Sequence, residues 1–348
     1  MGVGDVTQWT GVAASRAVVV ASPTPTGFTW DYGITHPELR RLYERGKGAQ
    51  WNAATDLDWS IQVDPEAVVV ANSQAHGGSM GATSSPWFEG TPVASWGQAE
   101  WLAFGVESQR WMLSQFLHGE QGALVCTAKI VLSSPTIDAK AFAATQVVDE
   151  ARHVEAFGRY VETKLGGAYP VNPHLGALLD DVVADSRWDV TYLGMQILVE
   201  GLALGAFGFM HETTTEPLLA DLLGRVMVDE ARHVAFGVLS LQELYAGLDD
   251  GELRDRQEFA LDACVRMRDR LLQQEVWEHM GVDPAVVIPR LRTDPSRLRF
   301  QQLLFGRIVP ACGRLGLLDA RGGWLRTRLD ELGLVPLPGT SSPAAAPG

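Results

Sequence analysis

The same seven residues, Val-Asp-Glu-Ala-Arg-His-Val, occur twice in this chain, at 148–154 and again at 228–234. A further glutamate stands 30 residues before the glutamate of each copy. On a helix, the glutamate and the histidine of a Glu-x-x-His motif project from one face. Two such motifs with two matched glutamates are the ligand set of a dinuclear metal site inside a four-helix bundle. The six predicted ligands are Glu120, Glu150, His153, Glu200, Glu230 and His233.

The stretches around the predicted ligands favour burial. Glu200 lies within 197–204, a run that is otherwise almost wholly apolar, and Glu120 precedes the apolar run 122–125. A carboxylate buried in such a helix is costly unless it is paired or metal-bound. An oxygen-rich set with one imidazole per metal suits iron or manganese better than zinc, which favours tetrahedral sites rich in thiolate or imidazole. The sequence therefore predicts two iron ions, with a Mn/Fe pair as the alternative.

Each repeat also carries an aspartate and an arginine in register. Asp149 and Asp229 directly precede the ligand glutamates. Each can accept a hydrogen bond from the N–H of a metal-bound imidazole, either on its own helix or on the helix of the other repeat. Arg152 and Arg232 point away from the metals and can pair with the aspartates three residues earlier. A duplicated network of structural salt bridges is the alternative interpretation of the repeat.

Long helical segments follow one another through most of the chain, and stop signals of Pro, Gly and Ser separate them. Helices of this length need partners along their sides, which a bundle supplies. The sequence therefore predicts an all-α protein in which a four-helix bundle carries additional N- and C-terminal helices. The four bundle helices are expected at about 95–132, 136–165, 186–212 and 216–246.

The chain divides into four predicted units. Outside the bundle, helices are expected at about 37–53, 251–280 and 295–332, and the segment 54–93 is predicted to be a long connection. The units are an N-terminal extension with one helix that packs on the bundle (1–94), the di-metal bundle (95–247), C-terminal helices that pack on the bundle (248–337) and a disordered tail (338–348).

The formal charge of −14 argues against a nucleic-acid partner and against an anionic membrane surface. The three cysteines, Cys126, Cys264 and Cys312, show no paired spacing, which fits a reduced compartment rather than a disulfide framework. No uninterrupted apolar stretch of membrane-spanning length is evident, and the first residues do not read as a secretion signal. We therefore expect a cytoplasmic protein with no membrane segment.

The arrangement of these motifs resembles the ferritin-like di-iron carboxylate proteins over roughly residues 95–245. The doubled Asp-Glu-Ala-Arg-His form, at 149–153 and 229–233, is most similar to the oxygen-activating branch. That branch includes multicomponent monooxygenases, aromatic-CoA epoxidases, acyl-carrier desaturases, arylamine N-oxygenases and aldehyde-deformylating oxygenases. The resemblance implies a ferritin-like bundle, metal ligation by the six residues named above, O2 as co-substrate and a homodimer.

Three positions depart from particular members of that group. Ribonucleotide reductase small subunits carry a radical tyrosine four residues after the first motif histidine, where this chain has Phe157. The best-known arylamine N-oxygenases place an extra histidine ligand where this chain has Val226. Multicomponent monooxygenases usually carry a threonine where this chain has Leu204. The resemblance therefore selects no single subfamily.

Residues one or two helical turns from the ligands should line any substrate pocket. Most of them are apolar, so the expected substrate is a small, mostly apolar organic molecule. Three nearby glycines, Gly201, Gly205 and Gly208, indicate either close helix packing or a helix distortion that leaves space beside the metals. The predicted pocket residues are Phe116, Leu124, Thr127, Phe157, Gln196, Ile197, Leu204, Phe207, Val226 and Met227.

Together these features favour an O2-dependent di-iron oxygenase or oxidase, of the monooxygenase type, that hydroxylates, N-oxygenates or desaturates its substrate. No dinucleotide fingerprint and no iron–sulfur cysteine set is visible, so the electrons are expected from a separate reductase or ferredoxin. One alternative is a ferroxidase or another iron-handling protein. The long segments before and after the bundle disfavour it. A second alternative is a Mn/Fe ligand-binding oxidase.

Overall fold

The computed structural model describes residues 20–22, 24–75 and 88–335. Throughout this part of the chain the regular secondary structure is helical, with no strand, as the sequence predicts. One large hydrophobic core runs from Leu39, near the beginning of the described chain, to Leu334, near its end, so the terminal helices and the bundle share it. The predicted tail at 338–348 lies outside the described residues.

Two α-helices precede the bundle within residues 24–75, where the sequence predicts one. α1 (Pro37–Gly48) packs against the bundle, and α2 (Pro65–Ala75) forms inside the segment predicted as a connection. An oxygen of Asp64 accepts hydrogen bonds from two N–H groups of the first turn of α2, at 3.1 and 3.2 Å. The prediction of a connection is wrong for these residues. Three consecutive valines, which favour strands, lie in a helix whose first turn Asp64 caps.

Four long helices form the bundle, close to the predicted boundaries. The first two pack along each other, and so do the last two, which gives one helix pair for each repeat. The short α5 connects the pairs. These helices are α3 (Gln98–Ser133), α4 (Ile137–Lys164), α5 (Pro173–Ala184), the continuous helix made of α6 (Trp188–Tyr192), a π-helical segment (Leu193–Val199) and α7 (Glu200–Thr213), and finally α8 (Pro217–Ala246).

Polar side chains begin the two helices that carry the repeats. At the start of α4, the Thr136 hydroxyl accepts a hydrogen bond from the N–H of Ala139 at 3.2 Å. At the start of α8, the Glu216 carboxylate accepts from the N–H groups of Leu218 and Leu219, at 2.8 and 2.7 Å. Because these caps satisfy otherwise free donors, they help to fix where each helix begins and which face it presents to the bundle.

The C-terminal region forms six helices, where the sequence predicts two long ones. Glycines with positive φ interrupt the pattern: Gly281 (φ 73°) follows α10 and Gly316 (φ 76°) follows α13. Hydrophobic periodicity does not reveal such left-handed positions, which glycine adopts readily. The helices are α9 (Asp250–Arg270), α10 (Gln274–His279), α11 (Pro284–Leu291), α12 (Pro295–Phe305), α13 (Ile308–Arg314) and α14 (Ala320–Glu331).

The continuous helix Trp188–Thr213 is long and apolar enough to cross a membrane, by length and composition. Glu200 interrupts this helix, so it is not the uninterrupted apolar stretch whose absence the sequence indicates. In addition, 72% of the most apolar window of this helix is buried inside the protein. A helix that is apolar on all sides suits the centre of a helical protein, which is where this one lies.

Two glycines of α7 allow close packing against the C-terminal helices. A Cβ on Gly205 would lie 2.7 Å from the carbonyl oxygen of Leu304 in α12. A Cβ on Gly201 would lie 3.2 Å from the Ile308 side chain at the start of α13. The helix distortion is also present, but it lies upstream, in the π-helical segment that ends directly before the ligand glutamate of α7. Close packing therefore accounts for Gly201 and Gly205, whereas the distortion includes none of the three glycines.

Candidate metal centre

All six predicted ligands lie together in the middle of the bundle. Each is buried, with at most 5% of the residue exposed. Their ligand atoms form two groups, and within each group the atoms lie within 4.8 Å of one another. Glu150 belongs to both groups, so it is placed to bridge two metal ions. The first group is Glu120, Glu150, His153 and Glu230, and the second is Glu150, Glu200 and His233.

Several carboxylate oxygens of this cluster accept no hydrogen bond. Among the described residues these are Oε2 of Glu150, Oε2 of Glu200 and both oxygens of Glu230, although His153 Nδ1 lies 3.4 Å from Glu150 Oε2 and 3.3 Å from Glu230 Oε1. Buried carboxylate oxygens without hydrogen bonds are costly, yet these converge on one place. The donor set is oxygen-rich with one imidazole for each group, which suits two divalent cations such as iron or manganese. The residues therefore fit the metal pair that the sequence predicts.

Each ligand histidine is held by the aspartate of the opposite repeat. His153 Nε2 lies 3.1 Å from Asp229 Oδ2, and His233 Nε2 lies 3.2 Å from Asp149 Oδ2. The other nitrogen faces the glutamates, with His153 Nδ1 at 3.1 Å from Glu120 Oε2. The sequence allows each aspartate to hold the histidine of its own helix or that of the other repeat, and the structure has the second arrangement. Because the aspartate can accept a hydrogen bond from the Nε2–H of a neutral imidazole, the lone pair of Nδ1 is then free for a metal.

Arg152 and Arg232 close this crossed network on its outer side. Arg152 pairs with Asp149 at 2.5 Å and with Asp229 at 2.9 Å. Arg232 pairs with Asp229 and, at 3.5 Å, with Asp149. The two aspartates and two arginines thus form one buried group with no net charge. This balance offsets much of the cost of burying four ions.

Two residues that sequence reasoning missed complete the network. The indole N–H of Trp51 donates to Asp229 at 2.9 Å, and the Arg152 guanidinium lies 4.8 Å from the centre of the Trp51 ring. The Gln50 amide donates to Asp149 at 3.0 Å and accepts from Arg152 at 2.8 Å. No local pattern could reveal the role of Trp51, since 178 residues separate it from Asp229.

Burial and mutual repulsion set the protonation of the metal-free cluster. Burial, and then repulsion from Glu230, raises the pKa values of Glu120 and Glu200 well above the usual range. Burial alone would lower the pKa values of His153 and His233, but hydrogen bonds and charges from the surrounding carboxylates raise them overall. Protons therefore compete with metal ions for these ligands.

A cavity of about 20 Å³ adjoins the ligands Glu120, Glu200 and Glu230. This volume holds about one water molecule, so no organic molecule larger than a few atoms fits in this conformation. Phe116 and Phe207 form part of the wall, with their ring centres 4.6 Å apart. The other lining residues are Gln115, Gly119, Ala123, Val199, Ala203 and Arg270.

Phe116 and Phe207 are the predicted pocket residues that line this cavity. Phe157 packs behind them, with its ring centre 5.9 Å from that of Phe116 and 5.7 Å from that of Phe207. Gln196 is fully buried in the π-helical segment. Substrate contact by any of the ten stays a prediction. Those outside the cavity lining are Leu124, Thr127, Phe157, Gln196, Ile197, Leu204, Val226 and Met227.

A larger groove, of about 570 Å³, opens at the surface beside Trp51, Arg225 and Asp229. None of the six predicted ligands lines it. By size alone this groove would be the better substrate site. The cavity at the ligands is nevertheless the stronger candidate, because a reacting molecule has to reach the groups that carry the chemistry.

Solved structures give the decisive comparison for the fold. A variant of an R2-like ligand-binding oxidase with an anaerobically reconstituted Mn/Fe cofactor superposes with a TM-score of 0.50 and 19% identity, over 84% of this chain and 98% of that chain. A second variant, with an aerobically reconstituted Mn/Fe cofactor, gives a TM-score of 0.51 and 16% identity, over 83% and 98%. The chain has the ferritin-like fold.

This comparison confirms the predicted fold, an all-α ferritin-like bundle with additional helices. At 16 to 19% identity the likeness is one of fold. No protein-family description and no curated protein matches the sequence. The assignment of a function therefore depends on the residues of the site themselves.

Proposed function

We propose that this protein is an O2-dependent di-metal oxidoreductase that hydroxylates, N-oxygenates or desaturates a small, mostly apolar organic molecule. One observation carries the proposal: four buried glutamates and two histidines converge on two adjoining cation positions, with a cavity beside them. Two iron ions suit this donor set. A Mn/Fe pair is the second candidate, because the similar solved structures carry a Mn/Fe cofactor. When bound, the metal pair would supply the redox chemistry for O2 activation.

The chain's own side chains would fix where the metals lie. Glu120 and His153 serve one position, Glu200 and His233 serve the other, and Glu150 is shared. The crossed aspartates lie beside Nε2 of both histidines, so each imidazole is oriented with Nδ1 toward the centre and is made more basic. The buried arginines hold the aspartates in turn, which makes the ligand geometry rigid before any metal binds.

Aromatic side chains would keep bulk water from the reacting molecules. Phe116 and Phe207 line the cavity, and Phe157 is fully buried behind them. Excluding water protects reactive species and strengthens the electrostatic effect of the nearby charges. Because the cavity is smaller than an organic substrate, substrate binding would require part of this wall to move.

The electron balance calls for a second protein. Inserting one oxygen atom of O2 into a C–H or N–H bond consumes two further electrons and two protons and releases one water. Desaturation consumes the same external pair, while the substrate gives two electrons and two protons, and releases two waters. The sequence carries no nucleotide fingerprint, so a separate ferredoxin or reductase would deliver these electrons. We further propose a cytoplasmic homodimer that binds no nucleic acid and has no membrane partner.

The reaction of the reduced protein with O2 tests this proposal. The protein is loaded with ferrous iron without oxygen and mixed with O2 in a stopped-flow spectrometer, with and without small apolar molecules such as substituted aromatics. We expect a transient absorbance whose decay accelerates with one of these molecules, and an oxidised product by mass spectrometry. Conversion to a ferric form at a rate that no organic molecule alters would indicate a ferroxidase and contradict the oxygenase.

A matched pair of variants connects that reaction to the site. Glu150→Ala removes the carboxylate that both metal groups share and should abolish two-metal binding and the O2 reaction. Glu155→Ala removes an exposed carboxylate from the same helix, α4, and should leave both unchanged. If the two variants behaved alike, the O2 reaction would not depend on the cluster.

A further inference from the structure

The cavity beside the metal ligands also contains a buried cation. Arg270 ends α9 and is only 6% exposed. It lines the same cavity as the ligands Glu120, Glu200 and Glu230. A guanidinium has five N–H donors and no acceptor, so it cannot be a metal ligand itself. Its position in the cavity therefore needs another explanation.

Arg270 has no carboxylate partner among the described residues. Its Nε makes no hydrogen bond, and burial lowers its pKa to about 10. The other buried arginines of the described chain differ from it. Arg152, Arg232 and Arg256 each form an ion pair with an aspartate. Arg297 also has a buried Nε without a hydrogen bond, but the charge of Asp294 acts on it and it does not line the cavity.

With two divalent ions bound, the charges of the metal centre would balance without Arg270. Four ligand glutamates would neutralise the two ions, and the two repeat aspartates neutralise the two repeat arginines. One positive charge remains, and it lies at the cavity. A buried cation without a counter-ion is costly, whereas a paired and hydrogen-bonded one is tolerated. An anion that enters this cavity would therefore form the ion pair that Arg270 does not form within the protein.

Small side chains leave space close to this cation. A Cβ added to Gly119 would meet nothing within 4 Å, and Ala123 and Ala203 line the same cavity. The free volume is only about 20 Å³, so a ligand of several carbon atoms must displace Phe116 or Phe207. Both are apolar, which suits the hydrocarbon part of a ligand better than its charged end. The guanidinium is the one group in the lining that suits an acid.

We propose that Arg270 binds the carboxylate of an acidic organic substrate whose apolar part lies toward the metal ligands. The planar guanidinium can hold a carboxylate with two parallel hydrogen bonds, which fixes orientation as well as position. The apolar portion then meets Phe116 and Phe207 beside the metals. The inference names the substrate class for the proposed function and rests on it for the reaction, while the binding step requires no turnover.

Binding of matched acids and alcohols to the Mn(II)-loaded protein, without O2, tests the inference. Calorimetry compares hexanoate with 1-hexanol and benzoate with benzyl alcohol, after metal analysis has shown two ions per chain. In at least one pair the acid should bind about 10- to 100-fold more tightly, as expected for charge-assisted hydrogen bonds in a buried site. The absence of such a preference in both pairs would overturn the proposal.

Variants of Arg270 identify the residue responsible. Arg270→Gln should abolish the preference for the acid and keep both metal ions. Arg266→Gln is the control, because Arg266 lies on the same helix and pairs with Asp181 and Asp262 near the surface. It should bind like the wild type. An undiminished preference in Arg270→Gln would mean that the acid binds the metals instead, and loss of a metal would mean that Arg270 only balances ligand charge. Either result overturns the proposal.

A conservative variant keeps the test decisive if Arg270→Gln does not fold. Arg270→Lys preserves the charge but not the planar fork, so the preference for the acid should fall several-fold with both metals retained. An unchanged preference would overturn the assignment. Failure of the proposed function has a different signature: acids would bind through Arg270, but no acid would alter the reaction of the ferrous protein with O2.

Discussion

Replacing Asp229 with asparagine tests how the crossed network acts on the metals. Asp229 lies within hydrogen-bonding distance of His153 and Trp51, and it pairs with both repeat arginines. Asparagine keeps the size and one acceptor oxygen but removes the negative charge. His153 then loses the anion that fixes its tautomer, and the two arginines lose half of their counter-charge.

The expected loss falls on one metal position. A carboxylate that orients a ligand histidine contributes about 10- to 100-fold to metal affinity, or about 1.4 to 2.8 kcal/mol. His153 belongs to the group that contains Glu120, whereas His233 is held by Asp149. We therefore expect one metal to bind about 10 to 100 times more weakly and the other to bind almost as in the wild type.

Equilibrium dialysis against a series of Mn(II) concentrations, followed by metal analysis, measures both affinities. Asp221→Asn is the matched control, since Asp221 is an exposed aspartate on the same helix, α8. This control should bind two ions as tightly as the wild type. Equal weakening of metal binding at both positions in Asp229→Asn, or no weakening at either, would refute the reasoning that each aspartate supports the histidine of the other repeat.

Three further predictions follow from the same contacts. Metal binding should release protons and weaken as the pH falls, because the pKa values of Glu120, Glu200 and both ligand histidines are raised in the metal-free site. Calorimetry in buffers of different ionisation enthalpy measures the number of protons released. Metal binding without proton release would contradict this prediction. Gly205→Ala should lower the free energy of unfolding by about 1 to 3 kcal/mol, because its Cβ would lie 2.7 Å from a backbone oxygen. Gly119→Ala adds a Cβ that meets nothing within 4 Å, so it should leave the free energy of unfolding almost unchanged or raise it by up to about 1 kcal/mol. Equal effects of Gly205→Ala and Gly119→Ala on urea unfolding would refute the packing argument. Trp51→Phe should cost about 1.5 to 3 kcal/mol, because it removes the indole N–H, one of several donors to the buried Asp229 carboxylate; an unchanged urea midpoint would count against this network.

The sequence predicts the parts of the site that lie within single helices. The spacing of Glu150 and His153 places both on one face, and the repeat doubles that motif. Glu120 and Glu200 stand out because each is an acidic residue in a helix that is otherwise apolar nearby. Such features are local, so they can be read without knowing how the helices pack. The four bundle helices are predicted closely for the same reason.

Features that join distant segments could not be predicted. The sequence allows each aspartate to hold the histidine of its own helix or of the other, and only packing decides between them. Gln50 and Trp51 reach the aspartates from a segment far earlier in the chain. The lining of the cavity depends on side-chain packing between α3, α7, α8 and α9. Arg270, in a helix outside the bundle, shows no sequence pattern that would connect it with the metal ligands.

Anomalous diffraction from crystals loaded with ferrous iron in the absence of oxygen tests the central claim most directly, namely that six buried residues hold two metal ions. We predict two iron peaks inside the bundle. One should contact Glu120 and His153, the other Glu200 and His233, and Glu150 should bridge them. A single peak, iron bound elsewhere, or a fully formed cluster that binds no iron would contradict this account.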